Sequence, residues 1–209
     1  MTAMAGEADL DLGDRPGLEE VLWQAWKTLE LPDGYRAEIV EGFIEVSPTG
    51  RRNHARIANR LRDALVLFLV DSGSAAYQDT NVLHGRKVFI PDLIVGPKDI
   101  DDIPDPDGLG VEAGGVTLVA EVVSPGHDAR KRDLIRKRRA YARAGIPVYV
   151  IIDDLDGDGH VTVLTDPHPD RATYEAEIRV PYGTEVTVPE DPAKGFVIGV
   201  AITGEPRRG

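Results

Sequence analysis

Two carboxylates stand inside apolar, strand-like runs, where a valine or an isoleucine would be expected. Asp92 lies within FIPDLIV (89–95), and Glu121 lies within LVAEVVSP (118–125). A charge buried in a core strand is costly unless a partner or a metal offsets it. If the two strands are neighbours, the carboxylates converge on one face of the sheet, where their hard oxygens suit Mg²⁺. An ion held there polarises a phosphoryl oxygen and lowers the pKa of bound water.

A lysine in the following helix-like segment is the candidate cation for the same chemistry. Lys137 comes one helical turn after Asp133, so the two side chains share one face of that helix. Phosphodiester hydrolysis benefits from a cation beside the attacking water or the developing charge. Asp133 would then orient the ammonium or contact the water shell of the metal. On this hypothesis, replacing Lys137 with methionine removes only a charge and leaves folding almost unchanged.

Each of these charges also has a purely structural interpretation. Asp92 could end a strand at a solvent-facing edge, Glu121 could pair with a core arginine, and Lys137 could belong to a solvated helix face. Residues 130–143 hold eight Arg or Lys against one Asp, and RRNHARIANRLR (51–62) is also basic. These basic stretches could contact phosphates or could only balance the acidic loops of the chain.

The order of helical and strand-like patterns predicts an α/β fold. Apolar residues at helical spacing predict helices over roughly 16–30, 52–71 and 128–144. The segment AEIVEGFIEVSP (37–48) alternates around a Glu-Gly turn and predicts a hairpin. Further strands are predicted at 75–83, 86–95, 115–123 and 146–153. The expected architecture is a mixed β-sheet with flanking helices.

The rest of the chain is expected to be less regular. Residues 1–14 are predicted to form a disordered acidic tail, and residues 15–209 a single domain with a β-rich C-terminal part made of short strands. Residues 97–114 are predicted to be a long, mobile loop. The segment DLDGDG (154–159) copies the first half of a calcium loop but has no glutamate at the twelfth position, so a hairpin turn is predicted instead.

These segments together resemble the PD-(D/E)XK nuclease core, and most closely its Uma-type restriction endonuclease branch, which is widespread in bacteria. The resemblance is carried by AEIVEGFIEVSP with a following histidine, PDLIV, EVVSPG and RDLIRKRRAYARAGIPVYVIID. It covers roughly residues 16–190, and 117–153 is its most specific part. It implies a restriction-endonuclease-like core and a Mg²⁺- or Mn²⁺-dependent endonuclease that hydrolyses DNA, with duplex DNA as the expected partner.

The resemblance also implies which residues would form the metal site. Asp92 and Glu121 would be ligands, and the backbone carbonyl of Val122 would be a third. The superfamily motif has a lysine at the position of Val123, and in this branch the lysine comes from the following helix, which matches Lys137.

Three further positions match acidic or histidine positions of the family pattern. Glu38 or Glu41 would add an acidic group beside the metal, and His54 matches the histidine of the second helix. The family segment VPEYW is IPVYV here. That difference affects packing or partner contacts rather than the metal site.

Composition excludes several other classes. The chain contains no cysteine, so a disulfide framework and a thiolate zinc site are excluded. Its N-terminus lacks the pattern of a secretory signal, and its longest apolar stretch, ALVLFLV, is too short to span a bilayer. We therefore expect a cytoplasmic protein with no membrane partner. The net charge of −12 argues against indiscriminate binding of nucleic acid.

Two function classes remain from the sequence. The first is the metal-dependent deoxyribonuclease, expected to be a homodimer because cutting both strands of a duplex needs two sites. The second is a nuclease-like fold that has lost cleavage and acts as a DNA- or protein-binding regulatory module, as Val123 and the acidic net charge would allow.

Overall fold

The apolar segment that follows Asp92 and the apolar run that carries Glu121 become neighbouring strands of a six-stranded sheet. The computed structural model describes residues 17–48, 50, 52–126 and 130–205. Its helices are α1 (Leu18–Lys27), α2 (Arg52–Phe68), α3 (Lys137–Arg143) and α4 (Val200–Thr203), and a π-helical segment, Arg132–Arg136, leads into α3. Its strands are β1 (Tyr35–Val40), β2 (Phe43–Pro48), β3 (Ser74–Tyr77), β4 (Val82–His84), β5 (Lys87–Phe89), β6 (Leu93–Pro97), β7 (Val111–Glu112), β8 (Leu118–Val122), β9 (Val148–Asp153), β10 (His160–His168), β11 (Thr173–Pro181), β12 (Val186–Thr187) and β13 (Val197–Ile198).

The six-stranded sheet is mixed, as predicted. Its strand order is β11-β10-β9-β8-β6-β3. Strands β8 and β9 are parallel and are connected through α3, while the other neighbours are antiparallel. Every residue of β8 and β9 is buried. Their continuous apolar sequences fit this position, because a strand covered on both faces has no solvent side to make polar.

Helices cover the two faces of this sheet. On one face, Ile57 and Leu61 of α2 pack in a core that includes Leu118 and Ala120. On the opposite face, Tyr141 of α3 packs in a second core with Val119, Val123, Phe89 and Tyr149. The rings of Tyr141 and Tyr149 make an edge contact with centroids 4.9 Å apart. This aromatic contact fixes α3 over the face of β8 on which alternate residues, including Glu121, lie.

A second, five-stranded sheet has the order β2-β1-β5-β4-β7. The predicted hairpin is confirmed as β1–β2. Its turn residues Glu41 and Gly42 have φ of 48° and 82°, the conformation that a two-residue hairpin turn requires. Trp23 of α1 covers this sheet by packing on Ile39 and Val88.

The prediction of one strand over 86–95 is wrong, and the difference is important for the site. The run divides into β5 and β6, which belong to different sheets. Pro91 has no N–H to donate to a ladder. The N–H of Ile90 donates instead to the carboxylate of Glu38 at 2.6 Å. The predicted strand 75–83 divides in the same way into β3 and β4.

Two other regions are more regular than predicted. The segment 97–114, predicted as a mobile loop, contains β7 and two 3₁₀ turns. Its buried Asp105 accepts hydrogen bonds from the N–H groups of Asp107, Leu109 and Gly110, which orders the turn. The C-terminal part contains two nine-residue strands, β10 and β11, rather than only short ones. The predicted hairpin turn at 154–159 is confirmed by the antiparallel pairing of β9 with β10.

The predicted tail at 1–14 lies outside the described residues. Among the helices of the described ranges, none has the length and apolar character needed to cross a bilayer.

Candidate active site

Asp92 directly precedes β6 and lies opposite Glu121 of the adjacent strand β8. Leu93 of β6 pairs with Ala120 of β8 in antiparallel register. One residue further, the same register sets Asp92 across from Glu121, on the face covered by α3. Both residues are buried. The sequence therefore brings two carboxylates together because two apolar strands pair in this register.

Asp92 is held by three donors. Its Oδ2 accepts from the N–H of Val122 at 2.8 Å and lies 2.8 Å from His54 Nε2, while its Oδ1 accepts from Arg36 Nη2 at 3.1 Å. Burial alone would raise the pKa of Asp92, but the hydrogen bond and charge of His54, together with Arg36, lower it to about 2. Burial likewise opposes protonation of His54, yet Asp92 raises the pKa of His54 above its usual value.

Glu121 is in a drier environment, with only 2% of the residue exposed. Its Oε1 accepts from Lys137 Nζ at 2.7 Å and from the Tyr141 hydroxyl at 2.5 Å. Burial raises the pKa of Glu121, the charge of Lys137 opposes this rise, and the charge of Asp92 adds to it, so that the pKa lies at about 7.

Lys137 joins two carboxylates from different sheets. It is fully buried, and its Nζ lies 2.7 Å from Glu121 Oε1 on β8 and 2.9 Å from Glu38 Oε1 on β1. Burial alone would lower the pKa of Lys137, but the charges of Glu121 and Glu38 raise it, so the ammonium stays charged. Val123, at the motif position where a lysine is usual, lies in the apolar core.

The π-helical segment before α3 positions Asp133. This side chain is buried, accepts from the N–H of Ser124 at 3.3 Å and pairs with Arg132 at 2.9 Å. Its main-chain carbonyl accepts from the Tyr149 hydroxyl at 2.8 Å. The charge of Asp133 also acts on Lys137. A single wide turn of this kind is frequently found at functional sites.

Glu41 is not brought into this cluster. It lies at the hairpin turn and pairs with Arg139 and Arg143 of α3, with Arg139 Nη2 2.5 Å from its Oε2. Other arginines of the basic segment are also bound to carboxylates of the chain, as in the pairs Arg130–Asp153, Arg136–Glu45 and Arg138–Glu177. These contacts favour the structural interpretation of the basic segment 130–143.

Arg36 and Tyr141 were not predicted from the sequence, although Arg36 contacts Asp92 and Tyr141 contacts Glu121. Arg36 precedes Glu38 by two residues in an alternating strand, so it had to lie on the same face as Glu38. Tyr141 follows Lys137 by four residues, so it had to lie beside it on the helix. The two-residue spacing on β1 and the four-residue spacing on α3 therefore could have indicated both residues.

The donor set fits a hard divalent cation. Two carboxylates from adjacent strands and a third on β1 supply oxygen ligands of the kind that Mg²⁺ and Mn²⁺ prefer. Both contacts on Glu121 fall on Oε1, and no described residue hydrogen-bonds to Oε2. Within the described ranges, no three potential ligand atoms of this cluster lie within 4.8 Å of one another. Lys137 lies between two of the carboxylates and pairs with an oxygen of each, so its ammonium occupies the space that separates Glu38 from Glu121.

A separate group of three potential ligands lies on the β10–β11 hairpin. Single ligand atoms of Asp166, His168 and Glu175 all lie within 4.8 Å of one another. Asp166 and Glu175 are exposed, and Glu175 also pairs with Arg171. This group is built from one hairpin and shares no residue with the Asp92 cluster.

The pKa values of Glu121 and His54 predict how stability depends on pH. Both pKa values are raised in the folded protein, so the stabilisation is complete below the unfolded pKa values and is lost as pH rises through about 7. We expect the metal-free protein, in chelator, to lose on the order of 1 kcal/mol or more of unfolding free energy between about pH 5 and pH 8. Urea unfolding at the two pH values measures this change in the unfolding free energy. Glu121→Gln should show a smaller loss, and an unchanged loss in that variant would contradict the role of Glu121.

The mixed sheet, with helices on both faces, is a restriction-endonuclease-like fold. The chain belongs to the Uma2 family, described as "Putative restriction endonuclease", whose sequence profile matches residues 23–201. A comparison with curated proteins gave no match.

One solved structure shares the fold across most of both chains. It is described as a "putative nuclease belonging to DUF820 from Anabaena variabilis ATCC 29413". The TM-score is 0.66 at 15% sequence identity, and the match covers 87% of this chain and 96% of that chain. At this identity the similarity establishes the fold.

Proposed function

We propose that this protein is a Mg²⁺- or Mn²⁺-dependent endonuclease that hydrolyses phosphodiester bonds of duplex DNA. The observation that carries the proposal is the convergence of Asp92, Glu121 and the Lys137 ammonium at one end of β8. Family membership supports the same reaction class. Such an enzyme would act where its DNA substrate lies, in the cytoplasm.

Each side chain has a defined part in this mechanism. Asp92 and Glu121, with the carbonyl of Val122, would hold the ion, which polarises the phosphoryl oxygen and lowers the pKa of water. Lys137 stabilises negative charge near Glu121, and Glu38 keeps its ammonium in place. In the reaction, a water oxygen bonds to phosphorus, the bridging P–O bond breaks, and the released sugar oxygen takes up a proton.

His54 and Asp133 have supporting parts. His54 orients the Asp92 carboxylate through its contact with Oδ2. Asp133 fixes the start of the helix that carries Lys137, through Ser124 and Arg132. Support of this kind determines how accurately the ligands are held. Glu41 has no part in the mechanism, because it is bound by Arg139.

Incubation with supercoiled plasmid DNA tests the proposed activity. We expect relaxed or linear DNA in the presence of Mg²⁺ or Mn²⁺, and no product when a chelator is added, because the carboxylates alone cannot activate water. Metal binding should be measured on the same preparation by calorimetry. Binding of DNA with neither metal binding nor cleavage would contradict the proposal and favour a regulatory module with a nuclease-like fold.

We also propose that the protein acts as a homodimer, because double-strand cleavage needs two active sites and C₂ pairing is the commonest oligomer. Light scattering at micromolar concentration tests this, and a monomer would contradict it.

A further inference from the structure

Arg36 places a cation among the carboxylates of the candidate metal site. It stands in β1 two residues before Glu38, so both side chains leave the strand on the same side. Its Nη2 donates to Asp92 Oδ1 at 3.1 Å. The negative charges of Asp92, Glu121 and Glu38 all act on its guanidinium.

The contacts of Arg36 are incomplete in a way that those of its neighbours are not. Its Nε is buried and has no hydrogen-bond partner among the described residues. A buried donor without a partner is unfavourable, so the ion pair with Asp92 alone explains the position of this side chain poorly. By contrast, Lys137 is bound by two carboxylates, and Arg132 is bound by Asp133.

Arg36 is also the cation of this cluster that a ligand can reach most readily. Its side chain is 19% exposed, whereas the side chains of Lys137 and Arg132 are 0% and 9% exposed. A guanidinium presents its N–H donors in a planar fork that matches two oxygens of a phosphate. Arg36 therefore combines one unused N–H donor, a positive charge and partial exposure to solvent beside the candidate ligands.

We propose that Arg36 binds the DNA phosphodiester, and that it rests on Asp92 only in the metal-free protein. The inference rests on the proposed function. Arg36 and a divalent cation compete for the same carboxylate oxygen, so Arg36 leaves Asp92 Oδ1 when a metal binds. Its fork, including the Nε–H, then donates to the two non-bridging oxygens of the phosphodiester. Arg36 thus links metal binding to substrate binding.

Calorimetry with Mn²⁺ alone tests the competition. Because Arg36 occupies the ligand in the metal-free state, Arg36→Gln should bind Mn²⁺ more tightly than the wild type, on the order of 5-fold. The matched control is Arg130→Gln, which removes an arginine bound to another buried carboxylate, Asp153. Its Mn²⁺ affinity should equal that of the wild type. Weaker Mn²⁺ binding by Arg36→Gln would overturn the proposal, because Arg36 would then be holding Asp92 in place.

Binding of a short fluorescent DNA duplex in Ca²⁺ tests the substrate contact. Arg36→Lys keeps the charge but lacks the fork, so it should fold like the wild type and bind the duplex roughly 10-fold more weakly. Wild-type affinity in Arg36→Lys would overturn the phosphate contact. If the wild type itself binds neither Mn²⁺ nor DNA, the proposed function fails together with the inference. If the wild type binds Mn²⁺ and DNA, but Arg36→Gln does not bind Mn²⁺ more tightly or Arg36→Lys does not bind DNA more weakly, only the inference about Arg36 fails.

Discussion

Asp92→Asn is expected to abolish metal binding and to lower DNA cleavage on the order of 10³-fold. Asparagine has the same shape and still accepts from the N–H of Val122. It removes the negative charge that a divalent cation needs and that both Arg36 and His54 now contact. The pKa of His54 should fall as well, because Asp92 is what raises it. Calorimetry with Mn²⁺ and a plasmid cleavage assay measure the two losses.

Asp153→Asn is the matched control for this change. Asp153 is a buried carboxylate at the end of the neighbouring strand β9, and it pairs with Arg130 at 2.9 Å. The control variant therefore loses a buried, paired charge of the same kind without touching the candidate ligands. It should bind Mn²⁺ and cleave like the wild type. Equal losses in both variants would show that Asp92 supports only the fold.

Lys137→Met is expected to destabilise the protein by about 3–5 kcal/mol, because a buried carboxylate pair would lose its shared cation. Lys137 has no exposed surface and contacts both Glu38 and Glu121. This replaces the expectation from sequence that the substitution would leave folding unchanged. The pKa of Glu121 should rise further, because the ammonium now opposes its rise. Urea unfolding in chelator measures the change in stability.

The control for Lys137→Met has to be a residue of the same helix whose ion pair lies at the surface. Arg138 pairs with Glu177, and their side chains are 32% and 40% exposed, so Arg138→Met should change stability by less than about 1 kcal/mol. Arg139 would be a poor control, because it binds the buried Glu41.

Cleavage by folded Lys137→Met should fall by roughly 10²-fold or more. Lys137→Arg should not restore it fully, because a planar fork cannot replace a compact ammonium. Lost stability with full cleavage would limit Lys137 to a structural role.

The candidate ligands could be predicted because their signal is local. A carboxylate inside an apolar strand is conspicuous, and the pairing of β6 with β8 depends on apolar runs that the sequence displays. The choice between Glu38 and Glu41 could also have been made from the alternation of β1, which directs Glu38 inward and leaves Glu41 at the turn.

The contacts that were not predicted depend on packing between distant segments. The burial of Lys137 depends on how closely α3 approaches β1, which no local pattern encodes. The break near Pro91 follows from competition between a sheet ladder and the side chain of Glu38, 52 residues away in sequence. The contact of Arg36 with Asp92 depends on the placement of one sheet against the other.

The placement of the charge cluster between two sheets has an evolutionary consequence. Lys137 joins Glu38 of the five-stranded sheet to Glu121 of the six-stranded sheet. Under the proposed function, selection for cleavage and selection for a cooperative fold act on the same side chains. A descendant that no longer needed cleavage would still be selected to keep these ion pairs. In such a descendant, the first substitutions that abolish cleavage would occur at residues that do not join the two sheets, such as residues that only contact DNA.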